Sequence, residues 1–262
     1  MKHYTATVEQ RRRLGPALWE LWLHIPALGD WQPGQGCLVA TPTYLRHAFF
    51  PARLASQSLV MLTAPAAVSD DPASAWLLTR AAGDQIDLTG PFGRGFASPA
   101  RGERWLLVAE TAIDVGPLRQ QIQAAVAVGA EVLLLCGALN TASAFPATEL
   151  PTEVELRLAT ADGSLGARGD VSALLDAAVP WADRIAAVGS PLLYRGLQAT
   201  LHRLRPTWAT ENAQVLVRNA PIVCGVGACR ACTLHGPRGV VSVCQDGPVF
   251  PLDDGVALEA AP

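Results

Sequence analysis

Four of the six cysteines in this 262-residue chain lie close together near its C-terminus. They form a C-x4-C-x2-C-x11-C array of Cys224, Cys229, Cys232 and Cys244. Four thiolates can hold both irons of a [2Fe–2S] cluster, and C-x4-C-x2-C followed by a later cysteine is the plant-type spacing for it. Gly225 and Gly227 strengthen this interpretation, because glycine adopts positive φ and lets backbone N–H groups approach sulfur. The array therefore predicts a protein that moves electrons.

Two other kinds of cysteine site stay open as alternatives. A structural zinc site also uses four cysteines, but it usually presents two C-x2-4-C pairs, and the array contains a single C-x2-C. Disulfides are disfavoured because a chain of this length can build a core without them. A Rieske centre needs two histidine ligands, and His235 is the only histidine within the array. Cys37 and Cys136 lie in apolar segments and are predicted to be small buried residues.

Composition limits the class of protein. Half of the residues are hydrophobic and 16% are charged, which predicts large buried cores, and the length predicts two domains or two plus a small appendage. The net charge of −3 gives no basic surface for nucleic acid, and Arg11, Arg12 and Arg13 are predicted to be a solvated strand edge. The N-terminus lacks the apolar part of an export signal, and no apolar run approaches the roughly 18 residues of a membrane span. We expect a cytoplasmic protein with no membrane span.

The elements that position the cysteines fall into three regions. Residues 1–98 show short apolar runs at 18–25, 37–40, 59–63, 76–79 and 83–89, separated by Gly, Pro and Asp. Strands at this spacing indicate a barrel or a sandwich, and we predict a β-barrel domain.

The pattern changes in residues 99–210. Predicted strands at 105–109, 131–136, 154–159 and 184–188 alternate with predicted helices at 117–128, 171–178 and 192–204. This alternation is typical of an α/β domain with a mostly parallel sheet. Residues 211–262 hold the cysteine array and short strands, and are predicted to be a small [2Fe–2S] domain.

This order of domains resembles the ferredoxin reductase-like flavoproteins. The chain is most similar to the electron-transfer subunits of two-subunit dihydroorotate dehydrogenases of pyrimidine biosynthesis. Residues 244–250, Cys-Gln-Asp-Gly-Pro-Val-Phe, resemble the Cys-Lys-Asp-Gly-Pro-Val-Phe of that family, and 33–35, 83–87 and 90–96 are weaker matches. The resemblance implies FAD, a [2Fe–2S] cluster and a partner subunit that carries FMN and oxidises dihydroorotate.

The resemblance also implies two flavin-binding residues. In that family an Arg-x-x-Ser segment of the barrel contacts the flavin, and Arg53 and Ser56 stand at the matching place. An arginine can hold the FAD pyrophosphate through charge-assisted hydrogen bonds, and a serine hydroxyl can reach the polar edge of the isoalloxazine. The family has proline after this arginine, and Leu54 stands there instead.

Three segments, in two regions of the chain, depart from the family pattern. The family has a Gly-x-Gly-Thr segment and a short helix before the Gly-Asp turn. We expect both to be missing here, because residues 79–82 run directly into Gly83. Where the family has Gly-Gly-Gly-Ile-Gly, this chain reads Glu110-Thr-Ala-Ile-Asp114, and Gly189-Ser190-Pro191 replaces Cys-Gly-Pro.

The second departure bears on NAD. A carboxylate about 6 Å from a dinucleotide phosphate repels it by roughly 3 kcal/mol at an effective dielectric near 20, whereas the helix dipole returns only about 0.3–1 kcal/mol. Glu110 and Asp114 would both repel, so we expect NAD to bind poorly. The presence of Asp114 itself is best explained as a helix cap.

The sequence thus predicts an electron-transfer subunit that passes electrons between a flavin and a [2Fe–2S] cluster. No catalytic residue is assigned, and no nucleophile elbow, P-loop or HExxH motif occurs. Two alternatives remain: a standalone NAD(P)H-dependent flavin reductase, and a non-enzymatic scaffold that bears a cluster.

Overall fold

A computed structural model describes residues 1–42, 45–55, 57–65, 72–236 and 239–260. The first part of the chain forms a seven-stranded antiparallel sheet in the order β4-β3-β7-β1-β2-β6-β5. Its strands are β1 (Lys2–Gly15), β2 (Leu18–His24), β3 (Gly36–Val39), β4 (His47–Phe49), β5 (Arg53–Ala55), β6 (Ser58–Thr63) and β7 (Gln85–Phe92). In β7, buried Ile86 and Leu88 alternate with polar neighbours, as expected where one sheet face covers a core. The sheet runs from β4 at one edge to β5 at the other in the described residues, so closure into a barrel stays a prediction.

The predicted strand at residues 76–79 is wrong. Trp76 and Leu77 belong to a short helix, α1 (Pro72–Leu77), which follows β6. Leu77 is fully buried in the core of the first sheet, and the Ser74 hydroxyl both accepts from the Ala64 N–H and donates to its carbonyl. A short apolar run has no periodicity that separates a strand from a buried helix. A short helix therefore does precede the Gly83 turn, against expectation, while residues 66–71 lie outside the described residues.

The second sheet has seven strands in the order β11-β10-β9-β8-β12-β13-β16. They are β8 (Arg104–Ala109), β9 (Glu131–Ala138), β10 (Val154–Thr160), β11 (Ala167–Arg168), β12 (Arg184–Val188), β13 (Ala213–Leu216) and β16 (Val249–Pro251). All neighbours pair in parallel except β13 and β16, which confirms the predicted mostly parallel sheet. The chain passes outward from β8 to β11 and then returns to β12 on the other side of β8. The point where the strand order reverses therefore lies between β8 and β12.

Helices cover both faces of this sheet. They are α2 (Val115–Ala127), α3 (Leu175–Ala178) and α4 (Pro191–Leu204). The predicted helix at 171–178 divides into a 3-10 turn over Val171–Leu174 and the single turn of α3. Because both faces are covered, β8 and β9 are almost entirely buried runs of Leu, Val and Ala rather than alternating strands.

The C-terminal region holds a three-stranded sheet in the order β15-β14-β17. Its elements are β14 (Thr233–Gly236), β15 (Gly239–Ser242), α5 (Val243–Asp246), α6 (Leu252–Val256) and β17 (Glu259–Ala260). This region also supplies β16 to the second sheet, where Val215 pairs with Phe250. The predicted division at residues 98 and 210 stays a prediction.

Charged side chains join the first sheet to the α/β region. Glu20 on β2 is fully buried and accepts hydrogen bonds from Arg12 at 2.9 Å, from Trp22 at 3.0 Å and from Arg119 of α2. Arg12 also donates to both carboxylate oxygens of Glu149, at 3.0 and 2.5 Å. Arg11, Arg12 and Arg13 are exposed on β1, as predicted, and Arg12 in addition bridges two acidic residues.

Among the described residues, no helix is both long enough and apolar enough to cross a membrane.

Candidate cofactor site

The cysteine loop directs backbone N–H groups at sulfur. Gly227 N donates to Cys244 Sγ at 3.2 Å, Cys229 N to Cys224 Sγ at 3.4 Å, and Cys244 N to Cys232 Sγ at 3.5 Å. Gly225 and Gly227 have φ of 71° and 73°, which is the conformation expected from the sequence. Such hydrogen bonds stabilise thiolates and bound sulfur, as a cluster-binding loop requires.

The four cysteines associate in two pairs. The Cys229 N–H donates to Cys224 Sγ, and the Cys244 N–H donates to Cys232 Sγ. Burial raises the pKa of the Cys224 thiol, but hydrogen bonds from the amides of Cys229, Val226 and Ala228 outweigh it and lower that pKa to about 6. The pKa of Cys244 is raised to about 12, mainly by burial. Within the part of the chain that the structure describes, no three His, Cys, Asp or Glu side chains converge on one point as ligands of a single metal ion.

The loop lies between the protein core and its surface. Cys232 and Cys244 are buried and pack with Leu38 and Phe92 of the first sheet, whereas Cys229 is exposed and Val226 is 54% exposed. The remaining cysteines, Cys37 and Cys136, are fully buried, and burial raises the pKa of each. This confirms the prediction that they are small core residues.

A cleft of about 740 Å³ lies beside the cysteine loop. Its walls are apolar and aromatic, including Phe49, Phe50 and Ile113, and two guanidinium groups, Arg46 and Arg218, line it. A volume of this size with apolar walls and a few placed cations suits a large organic cofactor. The cleft lining continues along residues 218–223 and therefore ends directly beside Cys224.

The resemblance implied that Arg53 and Ser56 bind the flavin. Arg53 lies on β5 with its guanidinium 5.4 Å from the ring centroid of Trp22, and it is not among the residues that line the cleft. Ser56 lies outside the described residues. Their role in flavin binding stays a prediction.

The residues that replace the glycine-rich loop lie at the carboxyl ends of β8 and β12. Glu110 follows β8, and its carboxylate accepts hydrogen bonds from Ser190 N at 2.5 Å and from Ser190 Oγ at 2.7 Å. Asp114 is 1% exposed and lies 2.9 Å from Arg218 Nε. It also accepts from the N–H and the hydroxyl of Thr111, so it closes the 3-10 turn before α2 and does not cap α2 itself.

The expected repulsion by two bare carboxylates is therefore wrong for Asp114. Burial raises the pKa of Asp114, and the charge of Arg218 opposes that rise. The Asp114 charge is balanced within the protein. The expected repulsion of a dinucleotide phosphate therefore rests on Glu110.

Sequence reasoning missed Arg46 and Arg218. Arg46 precedes β4 and donates to Thr89 of β7, while Arg218 follows β13 and pairs with Asp114. Neither residue belongs to a recognisable motif. Only their position after the chain has folded shows that both line one cleft.

The C-terminal region matches a family model. Residues 219–254 match the model described as the iron-sulfur cluster binding domain of dihydroorotate dehydrogenase B. The match covers all four cysteines of the array.

Relatives with curated names match a larger part of the chain. A protein from Bacillus caldolyticus named "Dihydroorotate dehydrogenase B (NAD(+)), electron transfer subunit" is 34% identical over 183 residues, which is 68% of this chain and 67% of the relative. A protein of the same name from Streptococcus pneumoniae serotype 4 is 30% identical over 185 residues, covering 69% of this chain and 71% of the relative.

Solved structures share the fold. A chain of an NADH-dependent reduced ferredoxin-NADP oxidoreductase superposes with a TM-score of 0.79 at 19% identity, covering 97% of this chain and 89% of the other. Phthalate dioxygenase reductase superposes with a TM-score of 0.63 at 13% identity, covering 92% and 94%. The described fold is thus ferredoxin reductase-like, with a sheet domain, an α/β domain and an iron–sulfur binding region near the C-terminus.

Proposed function

Because this chain belongs to the family of dihydroorotate dehydrogenase B electron-transfer subunits, we propose that it transfers electrons between an FAD in the cleft and a [2Fe–2S] cluster at the cysteine loop. The observation that carries this proposal is that the lining of the cleft is continuous with the cysteine loop. The cleft lining runs through residues 218–223 to Cys224, so a cofactor in the cleft lies next to the first ligand of the cluster.

The cysteines fit a two-iron cluster in number, pairing and environment. In this proposal Cys224 and Cys229 hold one iron, and Cys232 and Cys244 hold the other, in agreement with their association in two pairs. The amides of Gly227, Cys229 and Cys244 donate to sulfur and stabilise its negative charge. When bound, the cluster supplies transfer of one electron at a time.

The cleft fits a flavin dinucleotide by its donor chemistry. Arg46 provides a cationic group for a pyrophosphate, and Arg218 provides a second guanidinium whose charge is shared with Asp114. Phe49 and Phe50 provide flat apolar walls for a ring system. When bound, a flavin supplies the exchange between two-electron and one-electron transfer. Arg53 is a weaker candidate, because its guanidinium lies over Trp22.

The name shared by the relatives describes a subunit, which implies a catalytic partner. We place that partner, an FMN-containing dehydrogenase subunit, on the exposed side of the cysteine loop. Val226 and Cys229 are exposed there, so this side gives the shortest route for an electron leaving the cluster. Free thiol ligands and an iron–sulfur cluster suit a reducing compartment, and we propose the cytoplasm.

Metal, sulfide and flavin content test this proposal. Anaerobically purified protein should contain two irons and two acid-labile sulfides per chain, give an EPR signal after reduction, and release FAD on boiling. Cys229→Ser should lose most of the iron, whereas Cys37→Ser, a change at a cysteine outside the array, should retain it. A colourless protein with stoichiometric zinc would end the proposal, and a cluster without FAD would favour the scaffold alternative.

A further inference from the structure

Two residues of the chain are hydrogen-bonded to each other in the crevice where a parallel α/β sheet binds its ligand. Such ligands bind outside the carboxyl ends of the strands, at the point where the strand order reverses, which here lies between β8 and β12. Glu110 directly follows β8, and Ser190 follows β12 after one residue. The Glu110 N–H donates to the Val188 carbonyl at 3.0 Å, so the pairing of the two strands continues to the edge of the crevice.

The Glu110 carboxylate lies beside the N-terminus of α4. Helix α4 begins directly after Ser190, and free N–H groups at a helix N-terminus are where dinucleotide phosphates bind. Both Glu110 carboxylate oxygens are engaged there, one by the Ser190 N–H at 2.5 Å and one by the Ser190 hydroxyl at 2.7 Å. The carboxylate and the serine thus satisfy each other without an external ligand.

Packing around Gly189 keeps the Glu110 side chain in this position. A Cβ on Gly189 would lie 2.7 Å from Cβ of Glu110 and 2.8 Å from its Oε2, so only glycine leaves room for the carboxylate. The Gly189 N–H donates to the Tyr194 hydroxyl at 2.9 Å, and that hydroxyl donates to the Leu216 carbonyl at 2.6 Å. The amides of this loop are therefore committed to partners within the chain.

We infer that Glu110, held by Ser190, is a specificity-determining residue that excludes nicotinamide dinucleotides from this chain. The inference deepens the proposed function, because it limits the exchange partners of the electron-transfer unit to carriers other than NAD(H). A dinucleotide phosphate in this crevice would have to displace Glu110 or lie beside it. With about 6 Å between the Glu110 carboxylate and a phosphate, and an effective dielectric near 20, the repulsion of the like charges weakens dinucleotide binding about a hundredfold.

The test is equilibrium binding of NADH, NAD⁺ and ADP-ribose to the purified, cluster-bearing protein, measured by calorimetry without turnover. The wild-type chain should show no saturable binding up to about 1 mM. Glu110→Gly should gain measurable binding of ADP-ribose, with an affinity at least about tenfold higher than that of the wild type. Glu153→Gly is the matched control, since it removes one exposed carboxylate at the opposite end of the sheet and should leave binding unchanged.

Saturable NADH binding to the wild type in the micromolar range would overturn the inference, as would a Glu110→Gly variant that binds ADP-ribose no better than the wild type. If Glu110→Gly does not yield folded protein, Glu110→Gln takes its place, with an expected gain of at least about threefold. Iron, sulfide and the EPR signal are measured on the same samples. Micromolar binding with an intact cluster refutes the inference and leaves the proposed function standing, whereas a missing cluster refutes the proposed function.

Discussion

Single residues set the chemistry of the cysteine loop through their backbone rather than their side chains. Gly227 has a φ of 73°, and its N–H donates to Cys244 Sγ at 3.2 Å. A Cβ at this position would collide with the Gln245 side-chain oxygen. The geometry that presents the amide to sulfur is therefore open only to glycine.

Substitution of Gly227 should separate backbone strain from cluster binding. Gly227→Ala and Gly102→Ala both place a side chain at a positive φ, near 73° and 77°, and each should lose roughly 1–2 kcal/mol of stability. Nothing lies within 4 Å of a Cβ at Gly102. Only Gly227→Ala should also lower the iron and sulfide content, measured per chain after anaerobic purification. Equal iron content in the two variants would contradict a role of the Gly227 amide at the sulfur.

The pairing of Asp114 with Arg218 predicts a pH-dependent stability loss. Arg218→Ala leaves a buried carboxylate without its cation, so it should destabilise the protein by about 3–5 kcal/mol near neutral pH. Burial already raises the pKa of Asp114, and loss of Arg218 raises it further. A raised pKa means that the protonated form is favoured in the folded state, so the loss should be small below about pH 4 and grow as pH rises through the raised pKa.

Denaturant unfolding of Arg218→Ala at several pH values measures this loss. The double variant Asp114→Asn/Arg218→Ala should recover most of the stability at neutral pH, because no buried charge remains. A loss that does not change with pH would show that Arg218 acts through packing and not through its charge.

At the scale of elements, Glu20 joins β2 to α2 and to the 3-10 turn at Ala147–Glu149. Its fully buried carboxylate accepts from Arg119 and Arg12, and Arg12 continues to Glu149. Burial raises the pKa of Glu20, but the hydrogen bonds from Arg119 and Arg12 outweigh it and lower that pKa below its ordinary value. A lowered pKa adds stability above the unfolded-state value, and this stability is lost as pH falls.

Glu20→Gln should therefore cost about 3–5 kcal/mol at pH 7, since it leaves two guanidinium groups without their shared carboxylate. Glu155→Gln, which breaks the exposed pair with Arg157, should cost no more than about 1 kcal/mol. The difference in the free energy of unfolding between wild type and Glu20→Gln should become smaller as pH falls below about 4.3. Urea unfolding monitored by tryptophan fluorescence gives both values, and equal costs for the two variants would refute a joining role for Glu20.

Several helices and strands could be predicted from the local sequence pattern alone. The structure confirms, within a few residues, the strands predicted at 105–109, 131–136, 154–159 and 184–188 and the helices predicted at 117–128 and 192–204. The strands were predictable because a buried parallel strand is a continuous apolar run. The helices were predictable because α2 and α4 are long enough to show the helical period. The apolar run at 76–79 is too short for its sequence to distinguish a strand from a helix. It forms a helix in which Leu77 packs into the core of the first sheet.

The whole molecule is built so that the cluster region completes the α/β sheet. β13 and β16 extend it beyond β12, and Leu252 of α6 packs into the same core as Val215 and Ile185. The cleft proposed for the flavin also depends on this arrangement, because residues 218–223 form one of its walls.

A chain truncated after residue 210 should therefore fail to fold. The truncation removes the buried side chains Ala213, Val215, Leu216 and Leu252. At about 1.5–3 kcal/mol for each large side chain, their loss is comparable to the total stability of a typical domain. Circular dichroism and limited proteolysis measure the outcome. A cooperative, protease-resistant fragment of residues 1–210 would support the predicted boundary there and contradict this expectation.

The sequence by itself determined the features whose atoms are close along the chain. The cysteine spacing, the glycines between them and the family signature at 244–250 lie within one short segment, so their types and order predict the loop without knowledge of the rest. Tertiary structure alone decided the features that join distant segments: Glu110 with Ser190, Asp114 with Arg218, Glu20 with Arg119, and Arg46 with Arg218 around one cleft. These pairs depend on which strands are neighbours, and strand order is a product of long-range packing that no local pattern records.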